Sequence, residues 1–256
     1  VHDPTKDTTD DALVGDWRIL QPRKGHRWST DDLLCAWFAL DTLDQLGMVP
    51  DRSLDLGCGL GSVAMMLAWA LPGLHVTGLE KQPSRITLAR RSVSRNGATD
   101  RIRLVEGDVR DARAFLMPPG MAGWPLVTAT PPYWPVTSGT HGDDEQARCR
   151  FDLIGSVEDY GRAAQDLLAP QGLLVMVYDG RQKERLDRAT SGLWRLRAQP
   201  VVAREGDPPL LTLGVWTLAQ ADTSPRDPEP PLLLRHTDGT RSPAFSALRH
   251  RMGMPA

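Results

Sequence analysis

Asp55, Gly57, Gly59 and Gly61 lie in the segment DLGCGLG, which closes one apolar run and opens a helical pattern. Glycines at a strand-to-helix turn allow a tight bend and let a ligand approach the backbone. The spacing is D-x-G-x-G-x-G rather than the G-x-G-x-x-G of dinucleotide sites, and no basic residue stands there to hold a pyrophosphate. An acidic residue opens the motif instead, which favours a ligand with a cationic end, such as the ammonium of S-adenosylmethionine (SAM). Glu80 ends the next apolar run, LHVTGLE, where a carboxylate can accept both hydroxyls of a ribose. Asp108 follows a third run, RLVEGDVR, where it can accept an adenine amino group. Any one of these acids alone is better read as a solvated loop residue. Three of them at the ends of successive strands, behind a glycine loop, predict a SAM site.

A second constellation is Thr130-Pro131-Pro132-Tyr133-Trp134-Pro135, at the end of a fourth apolar run. Successive prolines hold the backbone extended and remove donors, leaving a row of carbonyl acceptors beside an aromatic ring. Such a wall suits a planar group bearing an NH₂. The Pro131 carbonyl and the Thr130 side chain accept its two hydrogens, and Tyr133 stacks on its face. Without the glycine loop the same residues read as a rigid turn. His141 stands alone in a loop, and the sequence shows neither a metal cluster nor a Ser-His-Asp arrangement.

These residues need a frame. Apolar runs at Ser53–Leu56, His75–Glu80, Ile102–Glu106, Leu126–Thr130 and Leu173–Tyr178 alternate with helical stretches at Ser62–Ala70, Pro83–Asn96, Val157–Leu168 and Gln182–Thr190. That alternation predicts an α/β fold, a mostly parallel sheet with helices on both faces. Ser29 or Thr30 caps an earlier helix, LLCAWFALDTL, with Asp31 and Asp32 in its first turn. Leu210–Leu218 is a further strand, and the end of the chain reads as a strand, a turn at Asp238–Gly239 and a short basic helix. Residues 1–14 read as a disordered tail, 15–220 as one domain with an N-terminal helical cap, and 221–256 as an appendage of the same domain.

The 256 residues are 41% apolar and 24% charged, enough to bury a sizeable core, and they exclude a collagen, a disulfide scaffold and a disordered chain. No apolar run approaches the roughly 18–20 residues of a membrane helix. The acidic, polar start reads as neither a signal nor a transit peptide, and three scattered cysteines fit a reducing cytoplasm. Net charge is −2, so the chain is no polycation, yet 26 of its 30 cationic side chains are arginine. The arginines of 85–95 read as a solvated helix face. Arg23, Lys24 and Arg27, close to the proposed site, are better placed for phosphates, and Arg148 and Arg150 follow a loop able to close over a substrate.

With these stretches in order, the chain resembles the class I SAM-dependent methyltransferases of amino groups, whose signature is Asn/Asp/Ser-Pro-Pro-aromatic. More closely it is similar to the bacterial tRNA (adenine-N6) methyltransferases acting on a valine tRNA. The stretches carrying the resemblance are GHRWSTDDLLCAWFA, LDLGCGLG, TGLE, GD, TPPYWP, ARCRF at 147–151 and LLAPQGLLVMVY, within roughly residues 20–190. The resemblance implies a Rossmann-like fold, SAM as cofactor, tRNA as partner and a cytoplasmic enzyme. It also implies that the stretch before the sheet folds over SAM and the transfer site, giving roles there to Arg27, Trp28 and Thr30. Lys24, Trp28, Trp134 and Arg148 are then expected to meet the substrate. Arg27 and Trp28 serve equally well as anchors of the first helix. Residue 130 departs from the family, being Thr where Asn is usual, so either the target differs or the pocket compensates. A glutamine amide or a small-molecule amine fits the same wall, and a non-catalytic SAM- or RNA-binding partner subunit is a further alternative.

Overall fold

Short apolar segments bounded by Gly, Pro and Asp become strands, and the amphipathic segments between them become helices. The computed structural model describes residues 7–134, 155–218 and 228–255. In chain order the elements are β1 (Thr8–Ala12), β2 (Arg18–Pro22), α1 (Thr30–Leu46), β3 (Arg52–Leu56), α2 (Ser62–Ala70), β4 (His75–Glu80), α3 (Pro83–Arg95) and β5 (Ile102–Glu106). Then follow α4 (Ala112–Leu116), β6 (Trp124–Ala129), α5 (Val157–Leu167), β7 (Leu168–Asp179), α6 (Lys183–Ala189), β8 (Trp194–Arg204), β9 (Leu211–Thr217), β10 (Leu232–Arg235) and α7 (Pro243–Arg251).

Eight strands form one sheet in the order β10-β8-β9-β7-β6-β3-β4-β5. Only the pairings of β9 with β7 and β8 are antiparallel. Leu33, Leu34, Phe38, Met65, Met66, Leu88 and Val93 of α1, α2 and α3 cover one face. Leu116, Val157, Ala164, Leu167 and Leu186 of α4, α5 and α6 cover the other. The expected Rossmann-like, mostly parallel sheet is therefore present. Chain order reverses direction across the sheet between β3 and β6, and ligands of open α/β sheets bind beyond the carboxyl ends of strands at such a point.

Two departures have physical causes. The segment expected to be a disordered tail is, over Thr8–Ala12, a strand paired antiparallel with β2. Its polarity is balanced by ion pairs made elsewhere in the chain: Asp10 meets Arg18 (2.6 Å) and Arg95 (2.7 Å), and Asp11 meets Arg27 (2.8 Å). The outer edge of β2 docks on α3, where the Arg18 N–H donates to Asn96 Oδ1 and the Leu20 N–H to Ser92 Oγ. The second is β8, whose arginines and Pro200 hide its strand character. Arg197 lies only 7% exposed there, bonded to Glu229 and Asp41 and stacked over Phe38. The residues after 227 extend the main sheet through β10, and α7 returns Phe245 and Leu248 to the core.

Candidate functional site

The glycine turn after β3 sits where two side chains crowd any Cβ. Gly57 has φ +65°, and a Cβ there would lie 2.1 Å from the Tyr160 hydroxyl; at Gly59 (φ +56°) it would lie 3.1 Å from the Arg85 guanidinium. Gly57 and Gly59 line a cavity of about 70 Å³ together with Trp28, Asp32, Glu80 and Arg85. Thr130 and Pro132 also line it, and it shares them, with Trp28 and Asp32, with a wider cleft of about 500 Å³. That cleft runs from Gly25–Ser29 past Asp31 and Asp32 to Thr130–Trp134.

Asp55, next to last in β3, is 2% exposed. Its Oδ1 accepts from the Thr128 hydroxyl at 2.8 Å, while its Oδ2 is buried and without a partner among the described residues. Burial raises this carboxyl to about 7. Glu80 accepts from the Gly59 N–H (2.9 Å) through Oε2 and from the Gln82 N–H (2.7 Å) through Oε1, leaving a lone pair on each oxygen. Asp108 stands outside the cavity at the end of β5, with Arg110 and Lys81 on its carboxylate. Its bonds to the Arg110 guanidinium hold it far below the usual carboxylate range.

An unpartnered buried carboxylate oxygen, a glycine cradle that a Cβ would crowd and a glutamate with a lone pair on each oxygen fit SAM. Its cationic end would find Asp55 and Asp32 nearby, and its ribose would find Glu80. Arg85, 5% exposed and donating to the His26 carbonyl, adds a cation for the carboxylate at the same end.

The Methyltransferase domain family model matches residues 54–118, from the end of β3 to just beyond α4. The tRNA1(Val) (adenine(37)-N6)-methyltransferase of Porphyromonas gingivalis is 31% identical over 59% of this chain and 58% of its own length. The release factor glutamine methyltransferase of Deinococcus radiodurans is 27% identical over 73% of this chain and 64% of its own. The chain thus spans about three-fifths of the length of these curated relatives. In fold it matches the crystal structure of an Agrobacterium tumefaciens protein described as a predicted O-methyltransferase, with TM-score 0.66, 21% identity, 88% of this chain and 98% of that one.

Residues 54–118 thus match a methyltransferase domain, and the sheet that holds them has the class I, Rossmann-like methyltransferase fold. The residues singled out by sequence do not all meet at one place. Gly57, Gly59, Glu80, Trp28, Thr130 and Pro132 meet at the cofactor cavity; Arg27, Pro131, Tyr133 and Trp134 line the adjoining cleft. Asp55 and Gly61 lie behind the cavity lining. Thr30 and Lys24 are exposed and line neither space, and Arg148 lies outside the described residues. Arg27 serves as an anchor, since its guanidinium bonds Thr9 and Asp11 of β1. Arg23 is likewise paired, with Asp7 at 2.8 Å.

Sequence reasoning missed three residues of the methyltransferase site. Arg85 was expected on a solvated face, but the helix turns it inward beneath the glycine loop. Tyr160 comes from α5, well after the proline motif in sequence, and no local pattern marks it. Asp32 was expected only as a favourable charge at a helix start. Its Oδ2 accepts the Ser29 N–H (3.1 Å), closing the first turn of α1, while its Oδ1 lies 3.5 Å from the Thr130 hydroxyl. Burial first, and the neighbouring charge of Asp31 second, raise its pKa.

Proposed function

We propose that the chain transfers a methyl group from SAM to the exocyclic amino group of an RNA base, adenine N6 in a tRNA. The observation that carries this reading is the junction of the glycine-loop cavity with the TPPY cleft at Thr130 and Pro132. Bound SAM supplies an electrophilic methyl group. Asp55, Glu80 and the glycine turn hold it, and Thr130, the Pro131 carbonyl and Tyr133 hold the acceptor. An exocyclic amine is a weak nucleophile because its lone pair is delocalised into the ring. Acceptors that pull its hydrogens toward a tetrahedral arrangement return that lone pair to nitrogen, and they act catalytically to the extent that they strengthen in the transition state.

A nucleic-acid acceptor is supported by the rim of the cleft. Trp134 is 37% exposed, with the Arg181 guanidinium 4.9 Å from its ring centroid. Asp179 holds that guanidinium at 2.9 and 2.6 Å. A braced indole is a stacking platform for a base flanking the target. The Porphyromonas relative, named for a valine tRNA, agrees with this reading. A second reading, a glutamine amide in a protein, draws on the Deinococcus relative and on the same planar wall.

The test is transfer of tritium-labelled methyl from SAM to an unmodified valine tRNA transcript. Label recovered as N6-methyladenosine supports the proposal. A transcript that stays blank while release-factor protein is labelled supports the second reading instead.

A further inference from the structure

From the placement of its Oδ1 beside Thr130 we infer that Asp32 is the second side-chain acceptor for the substrate's NH₂, standing in for the amide that residue 130 lacks. The inference rests on the reading that an NH₂ group is methylated, and it names the residue that makes the Thr-Pro-Pro-Tyr variant of the motif workable.

Asp32 is the acid that lines both the cofactor cavity and the substrate cleft among the described residues. A group receiving a methyl from one space while held in the other must pass this point. The carboxylate is fixed rather than free to swing, because Oδ2 is engaged by the Ser29 N–H in the first turn of α1. Ser62, at the start of α2, also bonds it. That leaves Oδ1 toward Thr130, 3.5 Å from its hydroxyl. If that hydroxyl donates to Oδ1, its own lone pairs are left to accept from the amine. Thr130 alone offers one short acceptor without amide geometry; Thr130 with Asp32 offers two oxygens from two elements. The neighbouring Asp31 is already committed to the Tyr133 hydroxyl at 2.6 Å. Asp32 is therefore the acid of this pair with an oxygen, Oδ1, facing Thr130.

The oxygen already in use makes the decisive variant legible. In D32N the side chain must keep its oxygen at the Ser29 N–H, which needs an acceptor. Its NH₂ is then forced to the Oδ1 position, where a donor faces the donors of the substrate amine. The fold of the helix start is preserved and the acceptor is reversed. Asparagine at position 130 would return an amide oxygen to the same place.

The experiment measures single-turnover methyl transfer at saturating SAM for wild type, D32N, T130N and D32N/T130N, with SAM affinity of each taken by calorimetry. The acceptor is the unmodified valine tRNA transcript. D32N is expected to slow transfer by about 10- to 100-fold, the range for losing a hydrogen bond to a charged group, with SAM affinity within about threefold of wild type. T130N alone is expected to change the rate by less than about threefold. In the D32N background it should recover roughly 2- to 10-fold, as one neutral hydrogen bond allows. A D32N rate equal to wild type overturns the inference. So does a loss confined to SAM affinity with no recovery from T130N, which would make Asp32 a holder of the cofactor's ammonium. If wild type labels a protein or small-molecule amine and not the tRNA, the RNA acceptor falls. The same rate ratios measured on that amine then decide Asp32 separately.

Discussion

The Tyr133 hydroxyl donates to Asp31 Oδ2 at 2.6 Å, tying the proline motif after β6 to the first turn of α1 across about a hundred residues of chain. The same tyrosine is held at its carbonyl by Tyr178 (3.2 Å) and Gln182 (2.5 Å), and its ring meets the Tyr178 ring edge-on at 5.6 Å. Burial, and then the charge of Asp31, push its phenol well above the usual range, so it remains a donor. The ring is positioned from both ends before any substrate arrives.

Tyr133→Phe keeps the ring and loses one bond to a carboxylate. It should destabilise the fold by about 1–2 kcal/mol, the low side of the range for such bonds because the pair is only partly buried. Methyl transfer should fall less than tenfold. Tyr133→Ala removes the wall itself and should cost more, since a misplaced acceptor loses far more rate than a weakened contact. Single-turnover rates and urea unfolding of both variants check the order. Equal rates for Tyr133→Ala and wild type would make the motif a structural turn.

SAM at about 100 times its Kd should stabilise the protein by about 2.7 kcal/mol, a rise in Tm of roughly 5–11 °C for a chain of this size. Asp55→Ala and Glu80→Ala should shrink that rise, because Glu80 lines the cavity and Asp55 Oδ2, just behind its lining, is a buried carboxylate oxygen without a partner among the described residues. Thermal melting with and without SAM reads it directly.

Asp55 gives this binding a pH dependence. Burial lifts its carboxyl to about 7 in the folded protein, against about 3.9 in an unfolded chain. Between those values the folded state holds a proton that the unfolded chain has released, so this group's contribution to stability falls as pH rises through the window. A cationic ligand beside it favours the carboxylate. SAM should therefore bind more tightly as pH rises from about 6 to 8, releasing a proton as it does. Calorimetry in two buffers of different ionisation enthalpy measures that release, and Asp55→Asn should reduce it to the share carried by Asp32, whose carboxyl is raised in the same way.

How far the site could be read from sequence follows from how local its causes are. The strands carrying Asp55, Glu80 and Thr130 were legible because each is a short apolar run ended by glycine, an acid or proline, and β4 and β5 fall at their expected bounds. The β1–β2 pair and β8 were not, because partners distant in the chain satisfy their charges. Arg197 needs Glu229 and Asp41, and Asp10 needs Arg95. Arg85 shares that fate: it lies on a helix whose pattern marks it as exposed, yet it is buried and donates to the distant His26 carbonyl. Asp32 reads locally as a first-turn charge, and only its approach to Thr130, far along the chain, ties it to the cavity.

Arg197 also carries a stability prediction. It joins β8 to α1 through Asp41 and Thr42 and to the segment before β10 through Glu229. Breaking a buried pair costs about 3–5 kcal/mol. Both carboxylates here reach solvent, so Arg197→Ala should cost on the order of 2–3 kcal/mol. Urea unfolding checks the loss, and SAM affinity should be unchanged because the pair lies far along the sheet from the cavity.

RNA as acceptor predicts a rate that falls with rising salt, since phosphate contacts release counterions. Trp134→Ala and Lys24→Ala should raise KM more than they lower kcat, the signature of lost uniform binding. Steady-state kinetics at two salt concentrations separates this from a defect in chemistry.

The most direct test of the account is to offer the protein tritium-labelled SAM together with three pools: total RNA, total protein and small metabolites from cells lacking it. Each labelled pool is then digested to its monomers. The account predicts label in RNA, in the small-RNA fraction, eluting as N6-methyladenosine. Label in protein as methylglutamine, with the RNA blank, would contradict it.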